Sequence, residues 1–197
     1  MKRYLWIPVA LLPAVVAMSI ARAGGESAAV ARGRYLVTVG VCADCHTTKT
    51  MGANGPEFDR SMWLAGHPEK LDVADAPKLP DGPWIVTTTG TLTAWNGPWG
   101  TSFAANLTPD VETGIGSWTE ENFVETIRAA RHQGRGRPLL PPMPAEMYAQ
   151  MTDEDLAAVF AYLRTIPPVK NRVPQPRPPV ASAPMPSPTP SATPAAK

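Results

Sequence analysis

Cys42-Ala43-Asp44-Cys45-His46 is the stretch whose residue types and spacing define a chemistry. Two thiols three residues apart sit on one turn of chain and can reach the two vinyl groups of a single haem. The adjacent histidine can then present an imidazole nitrogen to the iron, and C-x-x-C-H is the spacing of covalent c-type haem attachment. The chain has 2 cysteines in all, so it offers one attachment site. Three other chemistries compete. A thioredoxin-like redox pair needs a βαβ surround, which the flanking sequence does not supply. A structural zinc site takes four ligands, and no further cysteine is present. A Cys42–Cys45 disulfide leaves His46 without a job.

The elements around this stretch fit an exported chain. Lys2 and Arg3 precede an apolar run from Leu5 to Ile20, and Ala21-Arg22-Ala23 has the small-x-small form of a cleavage site. Residues 1–23 are therefore expected to be a signal peptide cleaved after Ala23. The apolar run is short for a span and holds Pro8 and Pro13, and no later stretch would cross a bilayer. The expected compartment is the periplasm, where c-type haem is attached. The full chain has 18 basic and 17 acidic residues; without Lys2, Arg3 and Arg22 the balance is about −2. That balance does not favour nucleic acid, which wants a basic face.

Helices must position the motif. Val30, Tyr35, Leu36 and Val39 predict a helix over residues 28–41 that leads into Cys42. Gly33 inside it marks either a close helix crossing or a tolerated surface glycine. Thr119 reads as an N-cap, with Glu120 and Glu121 in the first turn and Phe123, Val124 and Ile127 on the apolar face. Arg128, Arg131 and His132 suit the end of that helix, and Gly134 and Gly136 stop it. Residues 145–151 form a short helix after Pro144. Thr152 caps a last helix whose apolar face is Leu156, Val159, Phe160 and Leu163, ended by Pro167-Pro168.

Residues 47–105 are a Trp/Gly/Pro-rich insert without helical period. Ile85-Val86-Thr87-Thr88-Thr89 and Thr91-Leu92-Thr93-Ala94-Trp95 predict a small β-hairpin turning at Gly90. Trp63, Trp84, Trp95 and Trp99 are a large apolar payload for a loop. At least one of Trp84, Trp95 and Trp99 is expected to cover the haem or its ligand arm. Residues 169–197, rich in Pro, Ala, Ser and Thr, are expected to be a disordered spacer. The folded unit is then residues 24–168.

Iron held by His46 has one further axial position. His67 and His132 are the other histidines, and Met51, Met62, Met143, Met147, Met151 and Met185 follow the signal. Arg137-Pro138-Leu139-Leu140-Pro141-Pro142-Met143-Pro144 is a proline-stiffened arm, and Met143 alone rides on it. A rigid scaffold suits a weak thioether ligand, so Met143 is the expected partner of His46. A His/Met pair raises the potential relative to two histidines and closes the substrate position, which points to electron transfer.

At this level the chain resembles the class I c-type cytochromes over roughly residues 28–168. The resemblance rests on Gly33-Arg34-Tyr35-Leu36, Met143-Pro144, Asp153-Glu154-Asp155-Leu156 and Ala161-Tyr162-Leu163-Arg164. Asn106-Leu107-Thr108-Pro109-Asp110, then Thr113-Gly114-Ile115-Gly116 and Trp118, looks like the cytochrome c subunits and domains of periplasmic alcohol, aldehyde and sugar-acid dehydrogenases. The resemblance implies a mainly α, cytochrome c-like fold around one covalent haem c, and His46 and Met143 as axial ligands. It also implies a crossing of the first and last helices at Gly33 and Tyr162. Subunits of that group often carry several haem motifs, and this chain carries one.

The expected function is single-electron transfer in the periplasm, not catalysis. The expected partners are redox proteins: a dehydrogenase, a terminal oxidase or both. A dedicated subunit of a dehydrogenase complex is the alternative. A haem enzyme or small-ligand sensor, a third class, requires Met143 to be off the iron.

Overall fold

Ser27 opens the first helix by accepting the Val30 amide on its side chain, and α1 runs over Ala28–Val39. These residues belong to a computed structural model that describes residues 26–79 and 82–179. The expected signal peptide and the tail beyond residue 179 lie outside the described residues. Helix α1 breaks at Gly40 and Val41, and Val41 is left-handed at φ 56°. The chain then re-enters helix as α2, Cys42–His46.

Three further helices follow: α3 (Glu120–Ala129), α4 (Ala145–Tyr148) and α5 (Asp153–Leu163). Both expected caps form. Thr119 accepts the Asn122 amide while the Asn122 side chain answers to the Thr119 amide. Thr152 accepts the Asp155 amide at 3.1 Å. The Asp155 carboxylate does not close that second box; it reaches across to Arg32 of α1 at 2.9 Å.

Helices α1 and α5 cross at Gly33. A Cβ there would lie 1.9 Å from the Ala158 carbonyl oxygen and 2.8 Å from the Tyr162 Cβ. Only a residue without a side chain permits that approach. Around the crossing, Val37, Phe123, Ile127, Leu156, Phe160 and Leu163 form the buried core, with the Phe123 and Phe160 rings 5.5 Å apart.

The expectation of a mainly α chain with one hairpin needs correction. Among the described residues, strands β1 (Lys49–Gly52) and β2 (Gly55–Phe58) form one antiparallel pair. Strands β3 (Thr87–Thr88), β4 (Ala94–Gly97) and β5 (Gly100–Phe103) form a second sheet in sequence order. The architecture is therefore mixed. The expected hairpin about Gly90 survives only as the two-residue pairing of β3 with β4, and the longer hairpin turns at Pro98-Trp99. Thr89, Thr91 and Thr93 explain the shift. Their hydroxyls bond one another at 2.9 and 2.8 Å, curling the chain that the β-branched pattern marks as extended.

A second correction concerns residues 169–179, expected to begin the disordered spacer. Asn171 is 4% exposed. Its Nδ2 donates to the carbonyls of Ala65 at 2.7 Å and His67 at 2.9 Å, and its Oδ1 accepts the Glu69 amide at 2.7 Å. Arg177 pairs with Thr101 as an isolated antiparallel bridge. The segment is held by polar groups, which a reading based on apolar burial does not register.

Candidate cofactor site

Helix α2 is one turn long, and that turn carries Cys42, Cys45 and His46. Both thiols are free and half-buried. Burial pushes the Cys42 thiol up to about 11, and burial with the neighbouring Asp44 charge raises Cys45. Both are protonated at neutral pH. Asp44, between them in sequence, is tied by its carboxylate to the buried Lys49 ammonium at 2.7 Å.

His46 is 8% exposed. Burial lowers its pKa against the opposing pull of a hydrogen bond to the Ala105 carbonyl, so the ring is neutral at pH 7. That bond is 2.8 Å long at Nδ1. A carbonyl only accepts, so Nδ1 carries the proton and Nε2 keeps its lone pair. The His46 carbonyl accepts the Gly66 amide at 2.8 Å, which fixes the backbone behind the ring. Gly66 has φ 79°, and a Cβ on it would lie 2.4 Å from the Ala104 oxygen.

The Met143 arm is pinned at several points. The Leu139 amide donates to the Ala130 carbonyl at 2.8 Å, and the Met143 amide to the Leu140 carbonyl at 3.2 Å. Ser102 of β5 donates its hydroxyl to the Pro141 carbonyl at 2.6 Å, and the Trp99 indole donates to the same hydroxyl oxygen at 3.3 Å. Farther along, the Tyr148 hydroxyl of α4 donates to the Gly40 carbonyl, joining the end of the arm to the chain just before Cys42.

Cys42, Cys45, His46 and Met143 all line one cavity of about 340 Å³. That lies within the range of small-molecule and cofactor sites, about 300–1,000 Å³. Its walls are largely apolar, with Val37, Leu107, Phe123, Ile127 and Leu163 among them. Of the other candidate ligands, Met151 and His132 also reach the cavity, whereas Met147 and His67 do not. His67 is fully buried elsewhere, between the Thr93 hydroxyl at 2.9 Å and the Leu71 carbonyl. Among the described residues, no three His, Cys, Asp or Glu side chains gather as a bare metal site.

The tryptophans divide. Trp95 lines the cavity, Trp99 supports the arm through Ser102, and Trp84 is 75% exposed. Sequence reasoning missed Tyr148, raised by burial to about 12, and it missed the wall formed by residues 172–176. It also placed Arg131 and His132 in a helix that ends at Ala129, where Ala130 turns left-handed at φ 50°. His132 thereby faces the cavity, its ring edge-on to Trp118 at 5.1 Å.

An apolar cavity holding two thiols and a neutral imidazole on one turn is the site of a haem-attaching protein, and the chain belongs to the cytochrome c family, which matches residues 30–167. Covalently bound haem c is that family's group. The residues here fit it: both thiols are unpaired, and among the described residues the His46 ring hydrogen-bonds through Nδ1, leaving Nε2 open. The chain is 30% identical over 149 residues to a subunit of the nicotinate dehydrogenase of Pseudomonas putida. It is 29% identical over 137 residues to the gluconate 2-dehydrogenase cytochrome c subunit of Pantoea cypripedii. It is 30% identical over 145 residues to the fructose dehydrogenase cytochrome subunit of Gluconobacter japonicus. These matches cover 76, 70 and 73% of this chain but 10, 23 and 22% of the relatives. Among the described residues no helix is long and apolar enough to cross a membrane.

Proposed function

We propose that the chain is a monohaem c-type cytochrome that carries single electrons in the periplasm. Cys42 and Cys45 hold the cofactor, and His46 and Met143 are its axial ligands. One observation carries the reading: the four side chains converge on a single apolar cavity, with His46 Nε2 unprotonated and unclaimed. A haem c bound there supplies a one-electron ferric/ferrous couple. The protein's own contribution is positional. Ala105 fixes the imidazole tautomer, Ser102 fixes the arm, and the apolar walls exclude water. With both axial positions taken by side chains no substrate position is open, so the role is transfer and not catalysis.

Two measurements test this. The intact mass of exported protein should equal the chain from Gly24 plus one haem; a mass without haem, from cells with a working attachment system, ends the proposal. Met143→Ala should let the reduced protein bind carbon monoxide and should lower the potential. If Met151→Ala or an alanine at His132 does so instead, the ligand assignment moves to that residue.

A second reading, a dedicated electron-transfer subunit, is favoured by the names of the relatives, which are subunits of nicotinate, gluconate and fructose dehydrogenases. Under it the donor is a dehydrogenase and co-purifies with the chain from its native periplasm. A free carrier elutes alone and accepts electrons from several donors.

A further inference from the structure

The family match ends at residue 167, yet the cavity does not. Residues 172–176 form part of its wall, with Val173, Pro174 and Pro176 as the apolar contributors. This wall is a strap fixed at both ends. On one side Asn171 is sunk into the body of the protein. It takes up the Ala65 and His67 carbonyls and the Glu69 amide, and its own amide donates to the Thr113 hydroxyl at 3.0 Å. Asn106 receives the same stretch, donating to the Val169 carbonyl at 2.8 Å. On the other side Arg177 exchanges two backbone hydrogen bonds of 2.9 Å with Thr101 of β5, and its guanidinium donates to the Val73 carbonyl at 2.8 Å. Between the two anchors all five residues of the strap line the cavity.

We infer that residues 169–179 are an integral wall of the cofactor site, which sets how far solvent and small ligands reach the bound haem. The inference rests on the haem reading above. It is distinct from it, because attachment needs only Cys42, Cys45 and His46. Pro174 and Pro176 suit such a wall, since they hold the backbone extended and carry no amide hydrogen to satisfy against an apolar group. Displacing the strap admits water, and a wetter surround favours the more highly charged ferric state and lowers the potential.

Gly100 provides a wedge. It sits at φ 91°, and a Cβ there would lie 2.2 Å from the Arg177 carbonyl oxygen and 2.6 Å from the Pro178 carbonyl carbon. Gly55 is the matched control, at φ 115° with nothing within 4 Å of a Cβ. Full-length holoprotein carrying Gly100→Ala, Gly55→Ala or Asn171→Ala is compared with wild type and with chains ending at Pro179 or Pro168. Haem content comes from intact mass, potential from redox titration, and access from the cyanide on-rate to the ferric form. Gly100→Ala, Asn171→Ala and the chain ending at Pro168 should keep one haem, lower the potential and bind cyanide several-fold faster. Gly55→Ala and the chain ending at Pro179 should match wild type. Wild-type potential and cyanide rate in Gly100→Ala and Asn171→Ala overturn the strap, whatever the fate of the shorter chain. Absence of haem from the wild-type protein overturns the haem reading instead.

Discussion

The helical half and the strand-and-strap half of this molecule are held together by different physics. In the first, α1, α3 and α5 bury Val37, Phe123, Leu156 and Leu163 against one another, and polar contacts such as Arg32–Asp155 lie at the surface. In the second, the fully buried side chains include His67, Thr93 and Thr108, joined by Asn106 and Asn171. There, hydrogen bonds replace apolar contact as the organising interaction. Each such group is costly if left unpaired, so the network is specific but intolerant of partial loss. The cavity lies where the halves meet: α2 supplies Cys42, Cys45 and His46, and β5 and the strap supply further walls.

The largest effect should come from the helical half. Gly33→Val forces a side chain into the Ala158 carbonyl and should cost about 3 kcal/mol, the upper end for an overpacked contact. Gly90→Val, where nothing lies within 4 Å, should leave the denaturant midpoint unchanged. Equal losses would remove the close crossing from the account. In the polar half, Asn106→Leu keeps the branched side-chain shape but strands the Thr108 amide, which Asn106 now accepts at 2.9 Å, and removes the 2.8 Å donor to the Val169 carbonyl. It should cost about 1–3 kcal/mol. If it is neutral in urea unfolding, hydrogen bonding is not what holds this half.

A pH profile sharpens the contrast. Burial, helped by the Arg177 charge, lowers the His67 pKa against the opposing Leu71 hydrogen bond. The unfolded chain then binds a proton at a higher pH than the folded chain. His67 therefore contributes full stability above its unfolded pKa of about 6.5. That contribution falls away as pH drops through and below that value. The denaturant midpoint should decline on acidification from about pH 7, and His67→Gln should flatten that slope. An unchanged slope would place the acid sensitivity elsewhere.

The smallest effects separate the tryptophans. Trp95→Ala should shift the haem spectrum and potential because Trp95 lines the cavity. Trp84→Ala should change neither, since its ring stands 75% exposed. An altered spectrum in the Trp84 variant would mean that the insert folds back over the cofactor.

What was legible in the sequence follows the same division. The helical period of Leu156, Val159, Phe160 and Leu163 and the Thr119 and Thr152 caps could be read because apolar periodicity and capping chemistry are local signals; the crossing at Gly33 was implied only by the family resemblance, since a glycine in a helix fits a surface position as well. A motif and a proline arm singled out Cys42, Cys45, His46 and Met143 in the sequence, and all four line the cavity. The β1–β2 hairpin was not legible. Its strands, Lys49–Gly52 and Gly55–Phe58, show no alternation of apolar and polar residues, and the turn dipeptide Asn54-Gly55, with Gly55 at φ 115°, does not by itself mark a hairpin. Nor was the strap, whose composition matches a disordered spacer. Its order comes from one buried asparagine and one backbone-paired arginine, each engaging partners about a hundred residues away. Long-range hydrogen bonds leave no period in a sequence.

The bond from Ser102 to the Pro141 carbonyl bears on speed as well as shape. An electron hop is gated by how far the ligand atoms must travel when the metal's charge changes. An arm fixed to β5 at Pro141 and to α3 at Leu139 leaves the Met143 thioether little room to relax between the two oxidation states. The proposed Met143 ligation therefore carries a small reorganisation energy. Under that ligation, electron exchange would be fast even with partners of nearly equal potential, where driving force contributes almost nothing.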